Sequence, residues 1–438
     1  MRRTRALFTL TVAVSMAALA GCASGDPGAP TPAATPTQDA RALPAECYND
    51  TTREVLPCVV PTPRAQHLHV AVMDNAGGSS WTDEQILSGL QAAADYWTTS
   101  LPGFLMGMDV VEVEHYTSAL VEQHLADGIG CGIATGAAGP LPAGWSDAGT
   151  IAGPLPEAAA LFPGADFTWA TEDVLVVVLP SSCANPSGEY IGEAGAQGPV
   201  DGSGPGNTVV WQVGVAPPGI ADVADFDVRI LTHELGHVLG LEHTATGWCE
   251  SADPGCRNAR ERPDPTNIMG TNTYGLLTTA QRSQFGLVAA GEVETLELAD
   301  GTDSVTHQYT IQARDLASGL RSVRVVLPGD DDPSDPFDQP ITYWLDFLPG
   351  LPPGAVQADH VSEIRQSSGL LVQRFIRGDF GHGLWYDLVA ENDSHNSVDF
   401  HLFQPGETYV NFDGSVSVNV DAMDAAAGLT ITVTLNRI

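Results

Sequence analysis

Three histidines and one glutamate stand close together in a stretch of eleven residues that reads HELGHVLGLEH. On a helix, His233 and His237 are one turn apart, so both imidazoles project from one face at a separation that a single zinc ion can bridge. Gly240 can end that helix in a left-handed conformation, and the chain can then turn back and bring His243 to the same ion. Three histidine ligands leave one coordination position open for water, which is typical of catalytic zinc.

Glu234 lies beside the first histidine and supplies the carboxylate that hydrolysis needs. Zinc lowers the pKa of its bound water from about 15.7 to about 7, and an adjacent carboxylate can take the proton as the water attacks a carbonyl. The pattern therefore predicts amide hydrolysis. The competing interpretation, in which the histidines are ordinary polar residues of an apolar helix, is disfavoured because Gly240 and His243 are also in place.

This stretch resembles the motif HExxHxxGxxH of the metzincin zinc endopeptidases. The family also has a methionine turn below the metal, and the residues 267–270 (NIMG) are similar to it, which implies that Met269 forms an apolar floor under the three imidazoles. Tyr274 resembles the tyrosine that some members place near the metal to stabilise the transition state; a tyrosine without such a role is the alternative. Thr244, which follows the third histidine, does not decide the subfamily.

The resemblance covers roughly residues 65 to 291 and implies a twisted mixed sheet with two long helices and a third helix after the methionine turn. Hydrophobic periodicity predicts one long helix at Asp83 to Ser100. The zinc helix is predicted to begin near Asp225 or Asp227 and to bury its apolar face, and the third helix is predicted at Thr278 to Ala290. Strands are predicted at Leu68 to Asp74, Met108 to His115, Asp173 to Pro180 and Asn207 to Val215.

The sequence changes character beyond Gly291, where short alternating strands are separated by Gly, Pro and Asp. This pattern predicts an all-β, sandwich-like domain whose partner the sequence does not identify, and the fold class of the chain is predicted to be α+β. The predicted strands include Val305 to Gln312, Ser322 to Leu327, Ile341 to Leu348 and Leu429 to Leu435.

One loop of this C-terminal region is crowded with aspartates, which offer the hard oxygen ligands that Ca2+ prefers. Their spacing matches no EF-hand, so a solvated acidic loop is favoured over a Ca2+ site. The residues concerned are Asp330, Asp331, Asp332, Asp335 and Asp338.

The first residues have the pattern of an export signal. Arg2, Arg3 and Arg5 precede an apolar run from Ala6 to Ala20, which is too short to span a bilayer as a stable helix. The run ends in LAGC, which resembles a bacterial lipobox in which Cys22 is lipidated; cleavage without lipidation is the alternative. The sequence therefore predicts an exported protein that its lipid anchors to the membrane at the cell surface.

Composition divides the chain into four predicted segments. Residues 1–21 form the signal peptide, and residues 22–44 begin with the lipidated cysteine and continue as a spacer rich in Ala, Pro and Thr, which cannot bury a core. Residues 45–291 are predicted to form the zinc peptidase domain. Residues 292–438 are predicted to form the β-rich domain.

Six cysteines remain once Cys22 carries the lipid, and an even number outside the cytoplasm suggests disulfides. Nearest-neighbour pairing is one of several connectivities that six cysteines allow. Zinc binding by these residues is the rival interpretation, but no CxxC spacing supports it. The predicted pairs are Cys47 with Cys58, Cys131 with Cys183 and Cys249 with Cys256.

Acidic residues outnumber basic ones by 54 to 18, and every basic residue is an arginine. Loss of the signal peptide changes the formal net charge from −36 to −39. The charge argues against a nucleic-acid partner, because phosphate contacts need a basic face. A surface this acidic favours solubility.

The leading prediction is a surface-anchored zinc endopeptidase that cleaves proteins or peptides. His233, His237 and His243 would hold the metal, and Glu234 would act first as general base and then as general acid. The substrate would pair with an edge strand, for which Asn207 to Val215 is the candidate. The alternative from another class is a cell-surface binding lipoprotein whose zinc site is structural or vestigial, and a zinc hydrolase acting on another amide stays open.

Overall fold

The computed structural model describes nineteen stretches of the chain, all within the unit Gln38–Ile438. They are residues 46–49, 54–57, 63–75, 79–126, 155–167, 171–183, 192–195, 207–214, 222–241, 244–247, 262–264, 266–271, 277–314, 318–327, 341–349, 368–379, 384–391, 402–424 and 427–437.

Helices and strands are mixed, and strands predominate, which is compatible with the predicted α+β class. The helices are α1 (Asp83–Ser100), α2 (Ala119–Ala126), α3 (Leu155–Ala159), α4 (Val223–Val238), α5 (Ile268–Thr271) and α6 (Thr279–Gln284). The strands are β1 (Glu46–Asn49), β2 (Glu54–Pro57), β3 (Arg64–Met73), β4 (Leu105–Tyr116), β5 (Asp173–Leu179), β6 (Gly192–Gly195), β7 (Thr208–Gln212), β8 (Thr244–Gly247), β9 (Arg262–Pro263), β10 (Val293–Glu297), β11 (Ser304–Ile311), β12 (Ser322–Leu327), β13 (Ile341–Leu348), β14 (Gly369–Asp379), β15 (Leu384–Glu391), β16 (Thr408–Val410), β17 (Val416–Asp424) and β18 (Gly428–Asn436).

Five strands from the N-terminal half of the chain form one sheet, in the order β4-β3-β5-β7-β6. The first four strands are parallel, and β6 runs antiparallel to β7. The prediction that Asn207 to Val215 forms an edge strand is therefore wrong, because β7 pairs with β5 on one side and with β6 on the other. The short β6 has the sequence GEAG, whose residue types all have little β-propensity, so no sequence pattern predicts this strand.

Both faces of this sheet are buried. On one face, side chains of β3, β5 and β7 form a core with α1 and α4, in which Trp97 and Leu235 are buried. On the other face, Phe162 and Phe167 pack with Leu175 and Val177 of β5. Burial on two sides explains why β5 is a continuous run of Val and Leu rather than an alternating strand.

Helix α1 has the bounds that the sequence predicts, whereas α4 and α6 differ. Asp222 caps α4, because its side chain accepts from the backbone N–H of Asp225, so the helix begins before either predicted aspartate. Asp225 instead pairs with Arg229. Helix α6 begins at Thr279, one residue after the predicted start, because Thr278 caps it, and it ends at Gln284, well short of the predicted Ala290.

The C-terminal residues form two further sheets that share one core. Their orders are β10-β12-β13-β14-β15-β8-β9 and β11-β18-β17-β16, and Val325, Tyr343, Val418 and Ile431 are among the side chains buried between them. The predicted strands β12 and β13 have the expected bounds. The seven-stranded sheet also takes in β8 and β9, which precede the predicted boundary at residue 291 in the sequence.

Among the described residues, no helix has both the length and the apolar character that crossing a membrane requires.

Asp227 makes the stability of α4 depend on pH. Its side chain is fully buried, and one carboxylate oxygen accepts from the N–H of Gly214 at 2.6 Å. Burial raises the pKa of Asp227 to about 7, and the hydrogen bond from Gly214 opposes that shift. Below about pH 4 the carboxyl is protonated in the folded and the unfolded chain alike, but between pH 4 and 7 only the folded chain keeps the proton. The free energy of unfolding should therefore fall as pH rises through this window.

We expect the Asp227→Asn variant to lose less stability than the wild type between pH 5 and pH 8, by about 3 kcal/mol, because the amide does not ionise. Urea unfolding at the two pH values measures the difference. Asp95→Asn, on the exposed side of α1, serves as the control. An equal loss in wild type and Asp227→Asn would assign the pH dependence to other groups.

Candidate metal centre

Two buried tryptophans hold α4, the helix that carries the first two histidines. The indole N–H of Trp97, on α1, donates to the carbonyl of Thr232 at 2.8 Å, and the indole N–H of Trp211, on β7, donates to the carbonyl of Asp227 at 2.9 Å. Both indoles are fully buried. The position of α4 is therefore fixed by directional bonds from a neighbouring helix and from the sheet, in addition to apolar packing.

His233 and His237 face each other across one turn of α4. Their Nε2 atoms are 3.2 Å apart, and their rings are nearly perpendicular, with centroids 4.8 Å apart. Two nitrogen ligands at about 2.0–2.1 Å from a tetrahedral zinc would be separated by about 3.3–3.4 Å. The observed separation therefore fits two corners of a zinc tetrahedron.

The other nitrogen of each ring is held by a backbone carbonyl. Nδ1 of His233 lies 2.8 Å from the carbonyl oxygen of Ile268, and Nδ1 of His237 lies 2.7 Å from that of Leu241. A carbonyl oxygen can only accept, so each Nδ1 carries the hydrogen and each Nε2 of a neutral ring presents its lone pair. The two lone pairs converge, which is the arrangement that a divalent cation needs.

Glu234 completes a three-residue cluster with these histidines. One ligand atom from each of His233, Glu234 and His237 lies within 4.8 Å of the others, and among the described residues this is the group with metal-binding geometry. The Glu234 side chain is buried. A carboxylate so close to the imidazoles is placed to exchange a proton with a molecule bound between them.

Gly240 ends the helix as the sequence predicts. Its φ is +94°, in the left-handed region, and its N–H donates to the carbonyl of His237 while the N–H of Leu241 donates to that of Gly236. These two bonds define a Schellman motif, which reverses the chain after the helix. The same reversal puts the carbonyl of Leu241 next to Nδ1 of His237.

Met269 packs directly against α4 at the glycine between the two histidines. The Met269 side chain is fully buried. A Cβ atom on Gly236 would collide with Met269 Sδ and would lie 2.8 Å from Cζ2 of Trp97. Gly236 is therefore required for this close approach, and the structure places Met269 beside the histidine pair.

Side-chain hydrogen bonds hold the methionine turn itself. The amide oxygen of Asn267 accepts from the N–H of Met269 at 2.9 Å, and Asp264 accepts from the N–H and the hydroxyl of Thr266, both at 2.7 Å. Burial raises the pKa of Asp264, and the hydrogen bonds from Thr266 and the charge of Arg314 oppose that shift. The turn is thus a fixed support for the carbonyl of Ile268 rather than a loose loop.

Several predicted site residues lie outside the described residues, and their roles stay predictions. They are His243, Tyr274, Cys22, Cys58, Cys131, Cys249, Cys256 and the five aspartates of the acidic loop. Cys47 lies in β1 opposite Leu56 of β2, and Cys183 is buried and disulfide-bonded. Its predicted pairing with Cys131 stays a prediction.

Sequence reasoning missed the residues that support the histidines. Gly236 occupies an unspecified position of the motif, and the acceptor on Ile268 is a backbone carbonyl, so neither has a signature in the sequence. Trp97 lies in a stretch whose hydrophobic periodicity predicts a helix, but no pattern in the sequence indicates its hydrogen bond to α4. The sequence singles out Asn267 only as part of the NIMG stretch.

The chain matches no protein-family model and no curated protein.

Filling the space at Gly236 should disturb the histidine pair. In the Gly236→Ala variant the new methyl group must displace Met269 or Trp97, so we expect a loss of about 1–3 kcal/mol in the free energy of unfolding. Zinc affinity should fall about tenfold to a hundredfold, because Met269 adjoins the residue whose carbonyl orients His233. Urea unfolding and competition with a zinc chelator measure the two effects.

Gly164→Ala is the matched control, because a Cβ atom there meets nothing within 4 Å. If Gly236→Ala bound zinc as tightly as this control, the packing of Met269 against α4 would have no bearing on the metal.

Proposed function

We propose that this chain is an exported, surface-anchored zinc endopeptidase. One observation carries the proposal: the Nε2 atoms of His233 and His237 are 3.2 Å apart while each Nδ1 donates to a carbonyl. Converging lone pairs at this separation are an arrangement that a bound cation stabilises. The sequence adds His243 as the expected third ligand, and the whole stretch resembles the metzincin motif.

A zinc ion held there would polarise the scissile carbonyl and lower the pKa of water to about 7. Glu234 would accept the proton of the attacking water and later deliver it to the leaving amine, because its carboxylate lies within reach of the same position. Burial of Glu234 keeps bulk water from competing for that proton. Met269 would keep the underside of the histidine pair apolar and rigid, and Tyr274 is proposed to stabilise the transition state.

The substrate would bind as an extended strand at the edge of the five-stranded sheet. Among the described strands of this sheet, β6 lies at one end of the order and next to β7, which precedes α4 in the chain. Three of the four residues in its GEAG sequence are Gly or Ala, so another backbone can approach it closely. Backbone pairing of this kind binds many different peptides, which suits an endopeptidase.

We also propose the finer fold expectations. A sheet with an antiparallel edge strand and two long helices, α1 and α4, in one core is compatible with a metzincin-like catalytic domain at residues 45–291. A core shared by two sheets supports a sandwich-like domain at residues 292–438. The signal pattern of residues 1–21, the lipidated Cys22 and the spacer to residue 44 remain part of the proposal on sequence grounds.

The role of Glu234 gives the decisive test. Glu234→Ala should keep about one zinc ion per chain, since the histidines remain, but should cleave casein at least about a hundredfold more slowly, because the proton acceptor is gone. His237→Ala should lose both zinc and activity. Metal analysis and digestion of casein and of a peptide library measure these effects.

Glu122→Ala, which removes an exposed carboxylate on α2, should behave as the wild type. Casein cleavage by Glu234→Ala at the wild-type rate would refute the mechanism. Zinc-loaded wild type that cleaves no peptide would favour the binding lipoprotein instead.

A further inference from the structure

A chain of buried hydrogen bonds leads from His233 to α6. Nδ1 of His233 donates to the carbonyl of Ile268, and the preceding residue, Asn267, donates from its amide to Oε1 of Gln281 at 2.6 Å. Oε1 of Gln281 also accepts from the N–H of Thr278, as part of the capping box of α6. All of these side chains are buried, so water offers them no substitute partners.

Helix α6 is in turn fixed to the seven-stranded sheet by two neighbouring side chains of β13. Oδ2 of Asp346 accepts from the N–H of Thr279, the first residue of α6, at 2.8 Å. Trp344, two residues earlier on β13, is buried in an apolar cluster with Ala280 of α6 and Val288. Residues two apart on a strand face the same side, so one face of β13 provides both the directional bond and the apolar contact.

A second connection joins the same sheet to the residue that follows His243. Thr244 begins β8, which pairs in parallel with β15 from the C-terminal region. The carbonyl of Thr244 accepts from the N–H of Asp264 at 3.1 Å, and a guanidinium nitrogen of Arg314 donates to the carbonyl of Thr266 at 3.3 Å. The segment that leads into the methionine turn is therefore bonded to β8 at Asp264, and the first residue of the turn, Asn267, is connected to β13 through α6.

We propose that the C-terminal sheet is a structural part of the metal centre, and that Asp346 is a positioning residue that orients His233 through α6 and the methionine turn. This inference rests on the proposed zinc site. A partner on the second nitrogen fixes the orientation and tautomer of a metal-binding histidine. Here that partner is a carbonyl in a helix of four residues, α5, which has little rigidity of its own.

Removal of the Asp346 carboxylate leaves the buried N–H of Thr279 without its acceptor. Helix α6 must then shift to find another partner, and Gln281 and Asn267 shift with it. Asparagine at position 346 keeps an oxygen that can accept the same bond. The two substitutions therefore separate the loss of this hydrogen bond from the loss of the negative charge.

Co2+ binding to the full-length chain provides the test, because the visible spectrum of bound Co2+ depends on the arrangement of its ligands. We expect Asp346→Ala and Gln281→Ala to bind Co2+ about tenfold more weakly than the wild type, with shifted absorption bands. Asp346→Asn should largely restore the wild-type affinity and spectrum. Val418→Ala, in the fully buried core of the C-terminal sheets and away from α6, is the control for a general loss of stability.

The inference is overturned if both alanine variants fold and bind Co2+ as the wild type does, and it is equally overturned if Val418→Ala weakens binding as much as they do. Circular dichroism checks folding, and Gln281→Ala decides the question alone if Asp346→Ala does not fold. A wild-type chain that binds neither Co2+ nor Zn2+ would overturn both the proposed zinc peptidase and this inference. Metal binding that the alanine substitutions leave unchanged would overturn this inference alone, so the two failures are distinguishable.

Discussion

The candidate metal centre depends on one constraint, the hydrogen bond from each Nδ1 to a backbone carbonyl. Because a carbonyl cannot donate, the bonds to Ile268 and Leu241 dictate the tautomer of His233 and His237 and turn both Nε2 lone pairs inward. At 3.2 Å the two lone pairs repel each other unless a proton or a cation lies between them. The fold overcomes this repulsion when it holds the two rings in place, so the two nitrogens are already oriented before a ligand binds. This is preorganisation of a ligand site.

Helix α4 combines two requirements that oppose its own stability. Glycine inside a helix costs about 1 kcal/mol relative to alanine, yet Gly236 is needed where Met269 and Trp97 approach the backbone. The helix must also stop within one turn of His237, and Gly240 achieves this with a left-handed residue. Tertiary contacts offset these local costs: indole bonds from Trp97 and Trp211 hold carbonyls of the same helix.

Helix bounds that are set by neighbouring residues could be predicted accurately from the sequence. Hydrogen bonds between residues far apart in the sequence could not. The bounds of α1 were predictable because Thr82 and Gln85 form a capping box ahead of an amphipathic stretch. The start of α4 could not be predicted, because Asp222, Asp225 and Asp227 can each cap a helix. Only the fold determines that Asp222 is the cap and that Asp227 is buried. The hydrogen bond between His233 and Ile268 joins residues 35 apart in the sequence, and the bond between Thr279 and Asp346 joins residues 67 apart. No local sequence pattern predicts bonds over such separations.

The two histidines thus reach their final orientation by different routes. His237 is oriented locally, since its partner Leu241 is four residues away and belongs to the helix end itself. Formation of α4 and its Schellman motif is sufficient for that bond. His233 is oriented by the methionine turn, whose own supports come from α6 and the C-terminal sheet. A helix can bring two imidazoles together by itself, but only the assembled fold can turn both Nε2 atoms toward one point.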